Sequence, residues 1–152
     1  MSHPLHINVE LMEHAKGLPI PSYQTDGAAG MDLFAAIDKP IEFFPLERIL
    51  IPTGLKLSLP SNMEAQIRPR SGLAFKQGIT VLNAPGTIDS DFRGEIKILL
   101  INLGQNMFNI EHGARVAQLV IAPITQANLN VVLTLDATQR GHGGFGSTDQ
   151  KV

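Results

Sequence analysis

Apolar and polar residues alternate with a period of two along much of the chain. Leu5, Ile7, Val9 and Leu11 are separated by His6, Asn8 and Glu10. Leu55, Leu57 and Leu59 alternate with Lys56 and Ser58, and Met63, Ala65 and Ile67 with Glu64, Gln66 and Arg68. Successive side chains of a strand point to opposite faces, so these runs predict half-buried strands. Glu95–Leu103 and Val116–Ile121 are more continuously apolar, as in strands covered on both faces. Leu129–Leu135 predicts a late strand. The 14 glycines and 10 prolines fall largely between these runs as turn punctuation. One short helix is predicted, with Ser71 as N-cap, Gly72–Gln77 as its body and Gly78 as its C′ residue. Many short strands and one short helix predict an all-β, jelly-roll-like sandwich or barrel.

The end of the chain breaks this pattern. Gln139–Val152 is rich in glycine and polar residues, with Phe145 as its large apolar side chain. Such a stretch buries too little to fold alone. The predicted organisation is a sandwich domain over 1–138 and a flexible C-terminal lid over 139–152.

Composition narrows the classes of function. A chain of 152 residues with 43% apolar content can bury one core. Charged residues are 17%, below the usual share of about a quarter, which suits surface hidden in an oligomer. The net charge of −2 supplies no basic stripe for duplex binding, so no nucleic-acid partner is expected. The chain has no cysteine, which excludes disulfides, thiolate nucleophiles and Cys-based zinc sites. The five histidines, at positions 3, 6, 14, 112 and 142, lack metal-ligand spacing and read as surface or packing residues. No run approaches the roughly 18 apolar residues that span a bilayer, and the first residues lack a signal-peptide layout. A soluble cytoplasmic protein without a membrane partner is expected.

Several short segments carry candidate chemistry. Asp32 lies in Ala28-Ala29-Gly30-Met31-Asp32-Leu33-Phe34-Ala35-Ala36. Arg68-Pro69-Arg70-Ser71-Gly72-Leu73-Ala74 sets a guanidinium and a hydroxyl at a helix start, which suits an anion. It is not a Walker-type loop, since no GxxxxGK[ST] sequence is present. Asn83-Ala84-Pro85-Gly86-Thr87-Ile88-Asp89-Ser90-Asp91-Phe92-Arg93-Gly94-Glu95-Ile96 lies between two strand-like runs and predicts a β-hairpin. Taken alone, Asp89, Ser90 and Asp91 are ordinary turn residues. Gly113-Ala114-Arg115-Val116-Ala117-Gln118-Leu119-Val120 places two polar side chains at the start of an apolar strand. Arg140-Gly141-His142-Gly143-Gly144-Phe145-Gly146-Ser147-Thr148 combines a cation, an aromatic face, hydroxyls and a pliable backbone.

These segments, in this order, resemble the homotrimeric dUTPase family. The resemblance implies hydrolysis of dUTP to dUMP and pyrophosphate, limiting uracil in DNA and supplying dUMP. It implies Asp89 as the general base that primes water for in-line attack on the α-phosphorus. Asn83, Thr87, Ile88, Phe92, Lys97 and Phe145 would hold uracil and deoxyribose. Arg70, Ser71, Gly72, Gln118, Arg140, Ser147 and Thr148 would hold the phosphates, with Asp32 and Arg115 in support and paired. Mg²⁺ would be held mainly by substrate phosphates and water, with Asp32 near it. Three subunits would share each site. The chain departs from the family pattern at Met31, usually aromatic, and at Phe92, usually tyrosine. A dCTP deaminase of similar fold and a non-catalytic nucleotide-binding sandwich are the rival readings.

Overall fold

A computed structural model describes residues 5–146. Among the described residues the chain forms eleven strands, one α-helix and one 3-10 turn. In order these are β1 (Asn8–Leu11), the 3-10 turn Glu13–Ala15, β2 (Gly30–Phe34), β3 (Ile41–Phe43), β4 (Arg48–Pro52), β5 (Leu55–Ser58) and β6 (Met63–Arg68). There follow α1 (Ser71–Gln77), β7 (Ile79–Val81), β8 (Gly86–Ile88), β9 (Lys97–Asn102), β10 (Phe108–Ile110) and β11 (Arg115–Pro123).

All pairings are antiparallel. The largest sheet has the order β2-β11-β6-β8, the next β4-β9-β7, and β1-β5 and β3-β10 form two-stranded ribbons. This is the all-β jelly roll that the alternation predicts, with its single short helix. Phe43, Leu33, Ile51, Ile79, Ile96, Ile98, Leu100 and Ile110 lie fully buried where the sheets face each other. Burying one such side chain contributes about 1.5–3 kcal/mol by transfer alone. One polar side chain, Asn102, is equally buried and fully satisfied. Its Nδ2 donates to the carbonyls of Phe43 (2.8 Å) and Asn106 (3.0 Å), and its Oδ1 accepts from the Gly104 N–H (2.9 Å). This side chain therefore ties β9 to β3 at the cost of no orphaned group.

Four expectations need correction. Arg70, not Ser71, occupies the N-cap, and Ser71 is the first helical residue; Arg70 is extended (φ −89, ψ 124) and no side chain caps the turn. The first turn closes on Arg70, whose carbonyl accepts the Ala74 N–H at 3.0 Å, directly after Pro69 has ended β6. The end is as predicted: Gly78 is left-handed (φ 69), and a Cβ there would fall 2.4 Å from the Gly104 nitrogen. Second, the 83–96 segment is not a plain hairpin. Its arms do pair, Ile79 opposite Asn102 and Val81 opposite Leu100, but within the segment β8 leaves for the other sheet and pairs with β6. Third, β1 is exposed along its length rather than half-buried, with Val9 and Leu11 open beside an apolar groove lined by Ile20, Tyr23, Leu57 and Ile121. Fourth, Leu129–Leu135 forms no strand; Leu129, Val131 and Leu133 are almost wholly exposed. Its apolar side chains meet no sheet edge of their own chain. No helix among the described residues is long and apolar enough to cross a membrane.

Candidate active site

The antiparallel register first sets the geometry. Gln118 of β11 lies opposite Asp32 of β2 on one side and Arg68 of β6 on the other. Directly after Arg68, Pro69 offers no N–H to a ladder and the chain turns out of the sheet into α1. Arg70 is thereby swung over β2. Its Nε lies 3.0 Å from Asp32 Oδ1, and its Nη1 donates to the Arg115 carbonyl at 3.1 Å. Arg115 Nη1 approaches the other carboxylate oxygen of Asp32 at 3.5 Å. Gln118 Nε2 donates to the Pro69 carbonyl at 2.9 Å.

One half-buried carboxylate thus holds two guanidiniums, and the cluster keeps a net positive charge. The Arg70 fork has N–H groups beyond those spent on Asp32 and Arg115, and beside it the first turn of α1 is uncapped and exposed at Ser71 and Gly72. This is an arrangement that attracts an anion with several oxygens.

The second group of predicted residues sits on the segment from β7 to β9. Gly86 is buried because a Cβ there would come 3.2 Å from the Cβ of Ile67 and 3.5 Å from Asn83 Nδ2. The close approach lets β8 lie flat on β6, with Thr87 opposite Gln66 and Ile88 opposite Ala65. Asp89 follows at once and is exposed. Its carbonyl accepts the Phe92 N–H at 3.2 Å. Arg93 closes the same turn, donating from Nη1 to the carbonyls of Ser90 (2.7 Å) and Phe92 (3.0 Å). The Phe92 ring lies over Gly94, where a Cβ would fall 2.6 Å from its Cζ. Lys97 opens β9, with Nζ 3.9 Å from Glu95 Oε2.

Two ties here escaped the sequence reading. Glu95 Oε1 accepts the Gly54 N–H at 2.9 Å and lies 2.6 Å from His14 Nε2. His14 and Glu95 are 81 positions apart, and no pattern in the chain links them. Arg93 carries no part in the predicted site, though an arginine just past a turn of Asp and Ser has donors enough to clip its carbonyls.

Asp32, Arg70, Arg115 and Gln118 therefore form one contact network, and Asn83, Thr87, Ile88, Asp89 and Phe92 share one segment. A shallow depression of ≈ 450 Å³ brings the two sides near each other, lined by Gln66, Arg68, Pro69, Ala84, Pro85 and Gln118. Among the described residues no hydrogen bond or ion pair joins Asp89 to the Asp32 network. The tail stands apart from both. Arg140 Nε donates to the Gly143 carbonyl at 2.9 Å, and Phe145 is fully exposed. Ser147 and Thr148 lie outside the described residues.

Comparison with known proteins gives a consistent picture. The family model described as dUTPase matches residues 16–149. The deoxyuridine 5'-triphosphate nucleotidohydrolase of Methylocella silvestris is 57% identical over 150 residues, covering 97% of this chain and 94% of that one. Its namesake from Brucella melitensis is 59% identical over 139 residues, covering 90% and 88%. Among solved structures, a dUTPase of Staphylococcus bacteriophage 80alpha with dUPNHPP superposes with a TM-score of 0.80 at 27% identity, covering 93% of this chain and 97% of that one.

Proposed function

Because the chain belongs to the dUTPase family and is an enzyme of that family, we propose that it hydrolyses dUTP to dUMP and pyrophosphate by in-line attack of water on the α-phosphorus. The observation that carries this reading is the Asp32–Arg70–Arg115–Gln118 network beside an uncapped helix start, a preformed receptor for a polyanion.

In this reaction the protein does little covalent work and acts by positioning and charge neutralisation. Arg70, Ser71 and Gly72 hold the α- and β-phosphates. Asp32 and Arg115 keep the Arg70 guanidinium turned towards them. Gln118 supports the same loop from behind. Asn83 and the strand β8 at Thr87 and Ile88 offer donors and acceptors to the uracil edge, which presents an N–H between two carbonyls. Cytosine would set a lone pair against that acceptor and leave buried groups unpaired, a mismatch that such sites reject strongly. Phe92 and Lys97 border the deoxyribose, and the Phe92 ring leaves no space for a 2′-hydroxyl. Asp89 takes the proton of the attacking water, a role worth about 10²–10⁴-fold. The tail closes last, with Phe145 over uracil, Arg140 on the γ-phosphate, and Ser147 and Thr148 adding hydroxyls.

Mg²⁺ is the implied cofactor. No group of three or more His, Cys, Asp or Glu among the described residues could hold a metal ion. Asp32, the carboxylate in the phosphate network, is already matched by two guanidiniums. The donor set thus does not fit a resident cage and fits a cation that arrives chelated by the triphosphate, with Asp32 near its water shell. When bound, the cation supplies neutralisation of the phosphate oxygens.

A homotrimer with shared sites completes the proposal. Its support is that no hydrogen bond or ion pair among the described residues joins Asp89 to the phosphate network within one chain, together with the apolar, uncovered segment Leu129–Leu135. Pyrophosphate release from dUTP, dCTP, dTTP and UTP, each with and without Mg²⁺, tests the activity. Release from dUTP alone is expected; ammonia from dCTP identifies a deaminase, and no turnover of any nucleotide a binding module.

A further inference from the structure

Gly30 opens β2 opposite Val120, and its presence there needs a reason. Glycine inside a strand costs roughly 0.5–1 kcal/mol relative to alanine. Its backbone is not left-handed, unlike those of Gly17, Gly54 and Gly78, so no conformational demand excludes a side chain. What a side chain would meet is specific. A Cβ on Gly30 would fall 2.3 Å from Gln118 Oε1, 3.2 Å from its Cδ and 3.6 Å from its Cβ. These three nearest atoms all belong to the Gln118 side chain, none to the backbone. The vacancy at Gly30 is therefore shaped to one carboxamide.

That carboxamide has only one orientation. The Pro69 carbonyl can only accept, so the NH₂ end of Gln118 must face it, at 2.9 Å, and the oxygen end must face Gly30. Pro69 is the residue at which the chain leaves β6 to enter Arg70, Ser71 and Gly72.

We propose that Gly30 is a positioning residue for the triphosphate: its missing Cβ seats the Gln118 carboxamide, which anchors the Pro69 carbonyl and so sets the Arg70-Ser71-Gly72 loop. A methyl group at position 30 pushes the flexible end of Gln118 aside and detaches it from Pro69, without obstructing the sheet. The loop then loses its anchor from behind while keeping the Asp32–Arg70 pair in front. The inference rests on the proposed phosphate role of that loop.

The test is a cycle of four proteins: wild type, Gly30→Ala, Gln118→Ala and the double variant. Affinity for a non-hydrolysable dUTP mimic and for 2′-deoxyuridine is measured by calorimetry, and Tm is recorded for each. Gly30→Ala is expected to weaken the triphosphate mimic by roughly fivefold to tenfold, the loss of about one hydrogen bond. Deoxyuridine affinity should stay unchanged. In the Gln118→Ala background, Gly30→Ala should cost nothing further, because the obstructing group is gone. Gln118→Met, which keeps the length, removes the donor and adds no charge, should reproduce the selective loss, and it serves as the binding readout if Gly30→Ala folds only without Gln118. Equal loss in both backgrounds, equal loss for deoxyuridine, or misfolding of both Gly30→Ala proteins overturns the proposal. Wild type active on dUTP beside an unaltered Gly30→Ala overturns it alone. Wild type inert towards dUTP overturns the functional reading instead, and the Gly30–Gln118 coupling remains readable in the Tm values.

Discussion

On the phosphate side of the site, Arg70 reaches the Arg115 carbonyl across 45 positions of sequence, and Gln118 reaches Pro69 across 49. On the base side the turn after Asp89 is clipped locally, with Arg93 holding the Ser90 carbonyl three positions away and the Phe92 carbonyl next door, between β8 registered on β6 and Glu95 tied to Gly54. In the described part of the tail the contacts are also local, Arg140 to the Gly143 carbonyl and the Gly141 N–H to Thr138. The long-range contacts join strands that the core already fixes, so the network proposed to hold the phosphates is preformed. The sheet fixes where the base-side turn begins, but among the described residues no hydrogen bond or ion pair ties Asp89 itself to the Asp32 network. The two regions therefore differ in kind: the Asp32–Arg70–Arg115 network is preorganised and carries charge, whereas Asp89 is exposed on a turn held by its own neighbours.

The sharpest break in this comparison is Asp89→Asn. It keeps size and removes the base, so kcat should fall by about 10²–10⁴-fold. Binding of a non-hydrolysable dUTP mimic should hold, because Asp89 takes no part in the cradle. Near-normal turnover would remove it from the base role. Next comes removal of residues 140–152. Circular dichroism and Tm should change little, since residues 140–146 form no strand and their hydrogen bonds run only to Thr138 and among themselves. Turnover should drop on the order of 10²-fold through loss of closure. Mixing this truncated chain with Asp89→Asn should restore part of the activity if subunits share sites; verified mixed trimers without rescue would place each site within one chain.

The smallest effects lie within the cradle and grade its members. Arg70→Ala removes the guanidinium nearest Asp32 and leaves a half-buried carboxylate short of a partner, so mimic affinity should fall about tenfold to a hundredfold. Arg115 is more exposed and its pair longer, 3.5 Å against 3.0 Å. Arg115→Ala should cost less than about fivefold, as for a surface pair. Equal losses in the two variants would show that the cradle does not depend on Arg70 in particular.

The sequence by itself determined the class of fold, the helix and the chemical vocabulary of the site. The alternation at Leu55–Leu59 and Met63–Arg68 became β5 and β6, because a period of two is enforced by backbone geometry at each residue. Gly78 ended the helix for the same kind of local reason. Only the tertiary structure decided what these elements face. The apolar residues of β1 carry the same alternation as those of β5, yet they are exposed, because burial depends on a neighbour that the pattern does not name. Leu129–Leu135 has strand-like composition, yet among the described residues it pairs with no strand and its leucines and valines stay exposed. Gln118, which reads as a strand-edge polar residue, is an anchor for Pro69 only because β6, β11 and β2 lie side by side in a fixed register. Local rules travel with the residues, whereas contacts across dozens of positions exist only once hydrophobic burial has chosen which strands meet.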